Sequence, residues 1–288
     1  EQALTVLGEC SVRAALALAA AHMHGRHGAL EHELLVIGYG KLGSRELGFA
    51  SDLDLVFVYD TAQAVSTGGL PTETYLARLA QRSISLLGQP TLLGSLYTVD
   101  TRLRPEGAAG LLLSRFDAWQ RYQYEQAWLW ERQALLRARP VAGSVRLARQ
   151  FQAQRRRLLT QAIEPETLIR ELGAMRARVA AVGPRRSAGA AALIDGEFLA
   201  ALWLLAAAPR DAAVIRASGI EAQMAALARG GQVSDAPRLA QAVAGLREAA
   251  NRHTLGLPPD GKAETRARVF IAERWADTFQ AAGASSPL

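Results

Sequence analysis

Residues 38–60 read GYGKLGSRELGFASDLDLVFVYD. Glycines stand at 38, 40 and 43, acids at Asp52 and Asp54, and the stretch runs out through the apolar Leu55–Tyr59. Leu53–Tyr59 predicts a strand, and because both of its faces are apolar beyond Asp54 it belongs inside a sheet. Side chains alternate along a strand, so Asp52 and Asp54 project from one face. Two carboxylates held that close raise each other's pKa unless a cation lies between them. Mg2+ is a hard cation that takes carboxylate, phosphate and water oxygens together. By itself an Asp-x-Asp pair at a strand start is as well explained by a turn or cap, so the neighbouring segments decide what it carries.

Upstream, Leu34–Tyr39 predicts a short strand entering a turn at Gly38-Tyr39-Gly40. Gly43 and Ser44 follow. A glycine lets backbone amides approach a phosphate closely, and the serine hydroxyl adds a donor. Arg45–Leu47 predicts a helical turn whose N-terminal dipole faces the same anion, and Lys41 stands within reach of it. This is no Walker A loop. It does fit G-x-G-x-x-G, with Asp60 where a dinucleotide site places its ribose-binding acid. The Asp-x-Asp strand nevertheless follows too soon for a full βαβ helix.

Downstream, Tyr75–Leu87 predicts a helix packed on the sheet and Leu96–Asp100 a third strand ending in a third acid. Three carboxylates on neighbouring strands suit two-metal phosphoryl or nucleotidyl transfer. The Arg102–Gly110 loop offers Arg102 and Arg104, whose guanidinium forks match phosphate; pairing with Glu46 or Glu131 is the structural alternative. Gly110–Leu113 predicts a further short strand, and Phe116–Arg139 a helix stopped by Pro140.

A helix over residues 3–24 precedes all of this. After Pro140 the pattern is helical throughout, over Val145–Ala162, Glu166–Ala181, Glu197–Ala207, Ser234–Ala250 and Arg266–Ala281, with prolines in the connections. The expected organisation is α+β, an α/β domain over residues 1–143 followed by an all-α domain over residues 144–288.

At 288 residues two domains are the natural expectation. Half the residues are apolar and 21% charged, which excludes wholesale disorder. The single cysteine, Cys10, excludes a disulfide framework and a multi-cysteine zinc site. His22, His24 and His27 cluster without partners to complete a ligand set, as at a solvated helix end. The longest apolar run, Ala14–Ala21, falls short of the roughly 18–20 residues of a membrane helix. No secretory signal is visible, and the expected compartment is the cytoplasm. The net charge of +6 comes from arginine, since Lys41 and Lys262 are the only lysines. No basic run interleaved with aromatics accompanies it, so neither nucleic acid nor membrane is an expected partner. The sequence opens at Glu1, as a fragment or single domain of a longer chain would.

Three ordered motifs carry a resemblance: Gly38–Asp60 above, YTVDTRLRPEGAAG at Tyr97–Gly110, and AWLWERQALLRARPV at Ala127–Val141. Together they resemble the glutamine synthetase adenylyltransferase/adenylyl-removing family of the polymerase-β-like nucleotidyltransferase superfamily. MRARV at Met175–Val179 and LIDGEFLAALWLL at Leu193–Leu205 match more loosely. The resemblance implies a polymerase-β-like nucleotidyltransferase domain followed by a helical bundle. It implies Mg2+-dependent transfer of AMP from ATP to a tyrosine of glutamine synthetase, with a PII-type signal protein as a second partner.

Carried over by position, Asp52, Asp54 and Asp100 match the metal-binding acids, and Gly43 with Ser44 the phosphate turn, where the family usually has Gly-Gly. Tyr39, Gly48, Trp128, Trp130 and Arg137–Arg139 favour the adenylylating half over the removing one, although Arg132 is more like the latter. Glu131 and Arg137 read as structural ion-pair partners, and Trp128 and Trp130 as core. The family's Lys- and Gly-rich loop before an Asp-Ile-Glu-Phe motif is here PRRSAGAAALIDGEF, lacking the lysine and with Gly196 in place of isoleucine. The competing expectations are the reverse, phosphorolytic reaction, a nucleotidyltransferase acting on another protein, and a non-catalytic module that binds nucleotide or partner.

Overall fold

The computed structural model describes residues 1–92, 94–181, 187–258 and 260–280. It is a mixed α and β chain that divides into two compact units, one formed by Glu1–Ala127 with Arg137–Arg155, the other by Trp128–Leu136 with Arg156–Leu288. The division differs from a single cut after residue 143. Leu147 and Phe151 are fully buried, and Phe151 packs on Trp119 with ring centroids 5.5 Å apart, so residues 144–155 stay with the first unit.

The first unit opens on α1 (Gln2–His27). β1 (Glu33–Gly38) runs into α2 (Gly40–Ser44), and β2 (Leu53–Asp60) follows. α3 (Thr72–Gly88) leads to a small hairpin, β3 (Pro90–Thr91) and β4 (Gly94–Ser95), then β5 (Val99–Asp100) and β6 (Leu113–Arg115). α4 (Phe116–Glu125) carries the fully buried Trp119, which stacks on Phe116. After the excursion of α5 (Leu129–Leu135), the chain returns as β7 (Arg139–Gly143) and α6 (Val145–Leu159).

The sheet order is β5-β2-β1-β7, with β6 also on β2. β1 is antiparallel to β2 and β7, whereas β5 and β6 lie parallel to β2. β2 is thus interior, as two apolar faces require; Leu53, Leu55, Phe57 and Val58 are all at or below 2% exposure. α1 and α3 bury Val12, Ala15, Ala19, Leu76 and Leu79 in the same core.

Three local expectations are corrected. The helix read from Phe116 to Arg139 is broken at Gln126–Trp128, and Pro140 lies in β7 instead of ending a helix. β7 pairs only with β1, and an edge strand accepts a proline that has no N–H to donate. The third strand is only Val99–Asp100. Trp128, expected in the core, is 64% exposed.

In the second unit α5 is followed by α7 (Pro165–Ala181), α8 (Ala188–Ala207), α9 (Ile220–Arg229), α10 (Ala236–Thr254) and α11 (Gly261–Trp275). Among the described residues this unit has no strand. Beyond Asp195 and Glu197, α8 is apolar on all sides, and a helix of that kind is stable only when surrounded; Phe198, Leu199, Ala200, Leu204 and Leu205 are buried. α1 and α8 are both long and apolar enough to cross a membrane by length and composition, which corrects the expectation that no run approaches that length. The sequence scan missed it because alanines and single polar residues break the contiguous apolar run.

Of the divergent stretch Pro184–Phe198, residues 184–186 lie outside the described residues; the remainder belongs to the start of α8. Gly196 allows close packing there: a Cβ at this position would lie 2.8 Å from Val243 Cγ2 and 3.0 Å from Ile271 Cδ1. Asp195 pairs with Arg176, joining the two loosely matched helical motifs.

Candidate active site

The parallel pairing of β2 with β5 places Asp54 directly beside Asp100 and Leu53 beside Val99. Asp52 lies just before β2 and is exposed. The Asp54 carboxyl is pushed up to about 6, first by burial and then by the charge of Asp100, with Asp52 adding to it; Arg137 and Lys41 pull the other way. Asp100 is held below the usual carboxylate range, chiefly by Arg102. The backbone N–H of Arg102 donates to Asp100 Oδ1 at 2.8 Å, and its Nε donates to Oδ2 at 2.9 Å.

Asp54 also determines its neighbour in the turn. Gly40 has φ +51, and a Cβ there would lie 2.2 Å from Asp54 Oδ2. Only glycine satisfies both the backbone and the carboxylate at this position. The Tyr39 N–H donates to Asp54 O at 2.9 Å and fixes the turn against the first residues of β2.

The helical turn expected at Arg45–Leu47 is instead α2, and it comes earlier. α2 ends at Ser44 because Arg45 adopts φ +63. The Glu46 N–H closes back on Lys41 O at 2.8 Å, a Schellman-type stop. Gly43 and Ser44 therefore form the end of a helix and do not precede one. The Gly43 N–H donates to Tyr39 O. The buried Ser44 hydroxyl donates to Gly40 O at 3.0 Å and accepts from Arg137 Nη2 at 3.1 Å.

The third motif holds this turn from the other side. Arg137 also donates to Glu46 Oε2 at 3.0 Å. Arg139 donates from Nε to Gly43 O and from Nη2 to Leu42 O, each at 3.0 Å, and pairs with Glu9 of α1. Cations at a helix C-terminus satisfy its last carbonyls. Gly43 has no room for a side chain, since a Cβ would lie 1.9 Å from Arg137 O. Arg155, buried and lowered to about 10 by that burial, sits near Tyr39. The sequence reading missed the roles of Arg139, Glu9 and Arg155. With Arg139 assigned to a helix, nothing in the pattern aimed it at α2.

Arg104 is engaged within its own loop, donating to Thr101 O and Oγ1, Gly110 O and Ala108 O. Glu131 accepts the Trp128 N–H at 3.1 Å and so caps α5, a structural role. Lys41 is exposed on α2. Among the described residues, no three His, Cys, Asp or Glu side chains are gathered around one point as metal ligands would be. Asp52, Asp54 and Asp100 nonetheless fit a hard divalent cation chemically. They are all-oxygen donors whose mutual repulsion already strains the ionisation of Asp54.

The sequence pattern that defines the glutamate-ammonia ligase adenylyltransferases matches residues 1–154, the part that holds this site. The chain belongs to this family. Relatives named bifunctional glutamine synthetase adenylyltransferase/adenylyl-removing enzyme accompany it. The one from Xanthomonas campestris pv. campestris strain B100 is 41% identical over 238 residues, 78% of this chain and 25% of the relative. That from Acinetobacter baylyi is 36% identical over 280 residues, 88% of this chain and 30% of the relative. That from Nitrosococcus oceani is 46% identical over 189 residues, 61% of this chain and 20% of the relative. The chain thus spans about a quarter of the length of the curated adenylyltransferases it matches.

Proposed function

We propose that this adenylyltransferase-family chain transfers AMP from ATP to a tyrosine hydroxyl of glutamine synthetase, in a Mg2+-dependent reaction that releases pyrophosphate. In this reading the first unit, Glu1–Ala127 with Arg137–Arg155, is a polymerase-β-like nucleotidyltransferase domain, and the second unit a helical bundle domain. The observation that carries it is the pairing of Asp54 with Asp100 across β2 and β5, with Asp52 adjacent, inside the segment that matches the family.

Asp52, Asp54 and Asp100 would hold the metal, and bound there it would supply positive charge to the triphosphate and to the attacking oxygen. Asp100, the most acidic-tending of the pair with Asp54, is the group suited to orient the tyrosine hydroxyl. Lys41 and Arg102, exposed beside the acids, are the cations able to meet the phosphates. The Gly43-Ser44 turn acts through its backbone shape, because the Ser44 hydroxyl is already engaged. Arg104 supports the site by fixing the loop after Asp100. A PII-type signal protein is the proposed second partner and the cytoplasm the proposed compartment.

The test is mass spectrometry of unmodified glutamine synthetase incubated with the chain and Mg2+-ATP. A tyrosine should gain one AMP, and Asp54→Asn should abolish the gain while leaving the circular dichroism spectrum unchanged. Undiminished transfer by Asp54→Asn would refute the assignment. Phosphate-dependent loss of AMP from the modified enzyme, with no forward transfer, would reverse the direction.

A further inference from the structure

Asp54 and Asp100 stand side by side on β2 and β5 with Asp52 just before β2, and among the described residues no three such side chains are gathered around one point. Asp100 is chelated by the residue two positions on: the Arg102 backbone N–H, Nε and Nη2 all donate to its two oxygens. The Asp100 side chain is 19% exposed while that of Arg102 is 77% exposed. Arg102 thus reaches in from solvent, and little packing holds it. A guanidinium fork and a divalent cation present the same thing to a carboxylate, positive charge along its lone pairs, and they cannot occupy both oxygens together.

We propose that Arg102 is a tethered counter-cation of the metal site: it occupies Asp100 until a divalent ion displaces it, and the freed guanidinium then turns to the nucleotide phosphates. The proposal rests on the nucleotidyltransferase reading above. It makes Arg102 a positioning residue with two alternative partners, and it links loading of the metal to readiness for the triphosphate. An ion pair with a solvent-exposed guanidinium is weak, so displacement costs the metal at most about fivefold in affinity, enough to bias the order of binding without closing the site.

The experiment measures Mn2+ binding to the full 288-residue chain by electron paramagnetic resonance, without nucleotide, in wild type, Arg102→Gln, Arg102→Lys, Lys41→Gln and Asp54→Asn. Arg102→Gln should bind Mn2+ more tightly than wild type, by up to about fivefold. Arg102→Lys keeps the charge but loses the fork, and should also bind more tightly than wild type. If Arg102→Lys matches wild type while Arg102→Gln and Lys41→Gln shift equally, only net charge is at work and the proposal falls. Weaker binding by Arg102→Gln overturns it as well. Asp54→Asn separates the two levels: if Mn2+ binding is indifferent to it, or absent from every variant, the metal-site reading itself fails. A second readout is the Arg102 Nε–H resonance, which Mg2+ should shift and which Asp100→Asn should shift the same way without metal. No change on Mg2+ saturation would overturn the displacement.

Discussion

Asp54 pays for its position with an ionisation it resists. Its folded value of about 6 lies above the ordinary 3.8, so the folded state holds a proton that the unfolded state has lost between those two values. Stability attributable to this group therefore falls as pH rises from about 4 to 6, the reverse of an ordinary paired carboxylate. At pH 7 without divalent ions, Asp54→Asn should stabilise the chain by on the order of 2–3 kcal/mol, and the gain should vanish near pH 4. Thermal unfolding across that range in chelator checks it, and a variant no more stable than wild type at pH 7 would contradict it. Asp100 is shifted in the opposite direction because a guanidinium already serves it. Two adjacent acids on paired strands thus stand in different electrostatic states.

At the scale of elements, the glycine-rich turn beside the acids is a five-residue helix that cannot sustain itself. It is held at its carbonyl end by Arg139 and at its side by Arg137. Replacing Arg139 with methionine takes the donor from Gly43 O and one of two cations from Glu9, which keeps Arg13, and should cost about 1–3 kcal/mol in urea unfolding. A loss below about 1 kcal/mol would show the clamp to be dispensable. In the helical unit, Gly196→Ile should cost about 1–3 kcal/mol by overpacking against Val243 and Ile271, and Val243→Ala should recover part of it.

Periodicity made the long elements legible: α1, β1, β2 and α3 lie within a few residues of where the apolar pattern places them. α2 was shifted and β7 missed for a shared reason. Both are short, and what stabilises each comes from residues about a hundred positions away. The strand that carries Asp54 was readable because its apolar run is local, whereas Asp52, expected on it, lies just before it. The Arg102–Asp100 contact was not readable, since a loop pattern does not tell an arginine aimed at phosphate from one folded back on its neighbour.

The whole molecule is discontinuous in sequence, the first unit taking back residues 137–155 after the chain has left it. A chain ending at Gly143 would lack Leu147 and Phe151, and so leave Trp119 without one of its aromatic neighbours. It should lose the near-ultraviolet dichroism of a packed tryptophan, which a chain ending at Arg155 should keep; equal spectra would show that α6 adds nothing to this core. The return of the chain also has a consequence in time. Gly43 and the guanidinium that caps its carbonyl are separated by 96 residues. At about 5–20 residues per second of synthesis, the ribosome has made the glycine-rich turn roughly 5–20 s before its clamp exists. Throughout that interval β1 has no partner on the side later filled by β7. A nascent chain of this family is therefore exposed to edge pairing with its neighbours on a polysome, and a pause in translation before residue 139 would lengthen the risk.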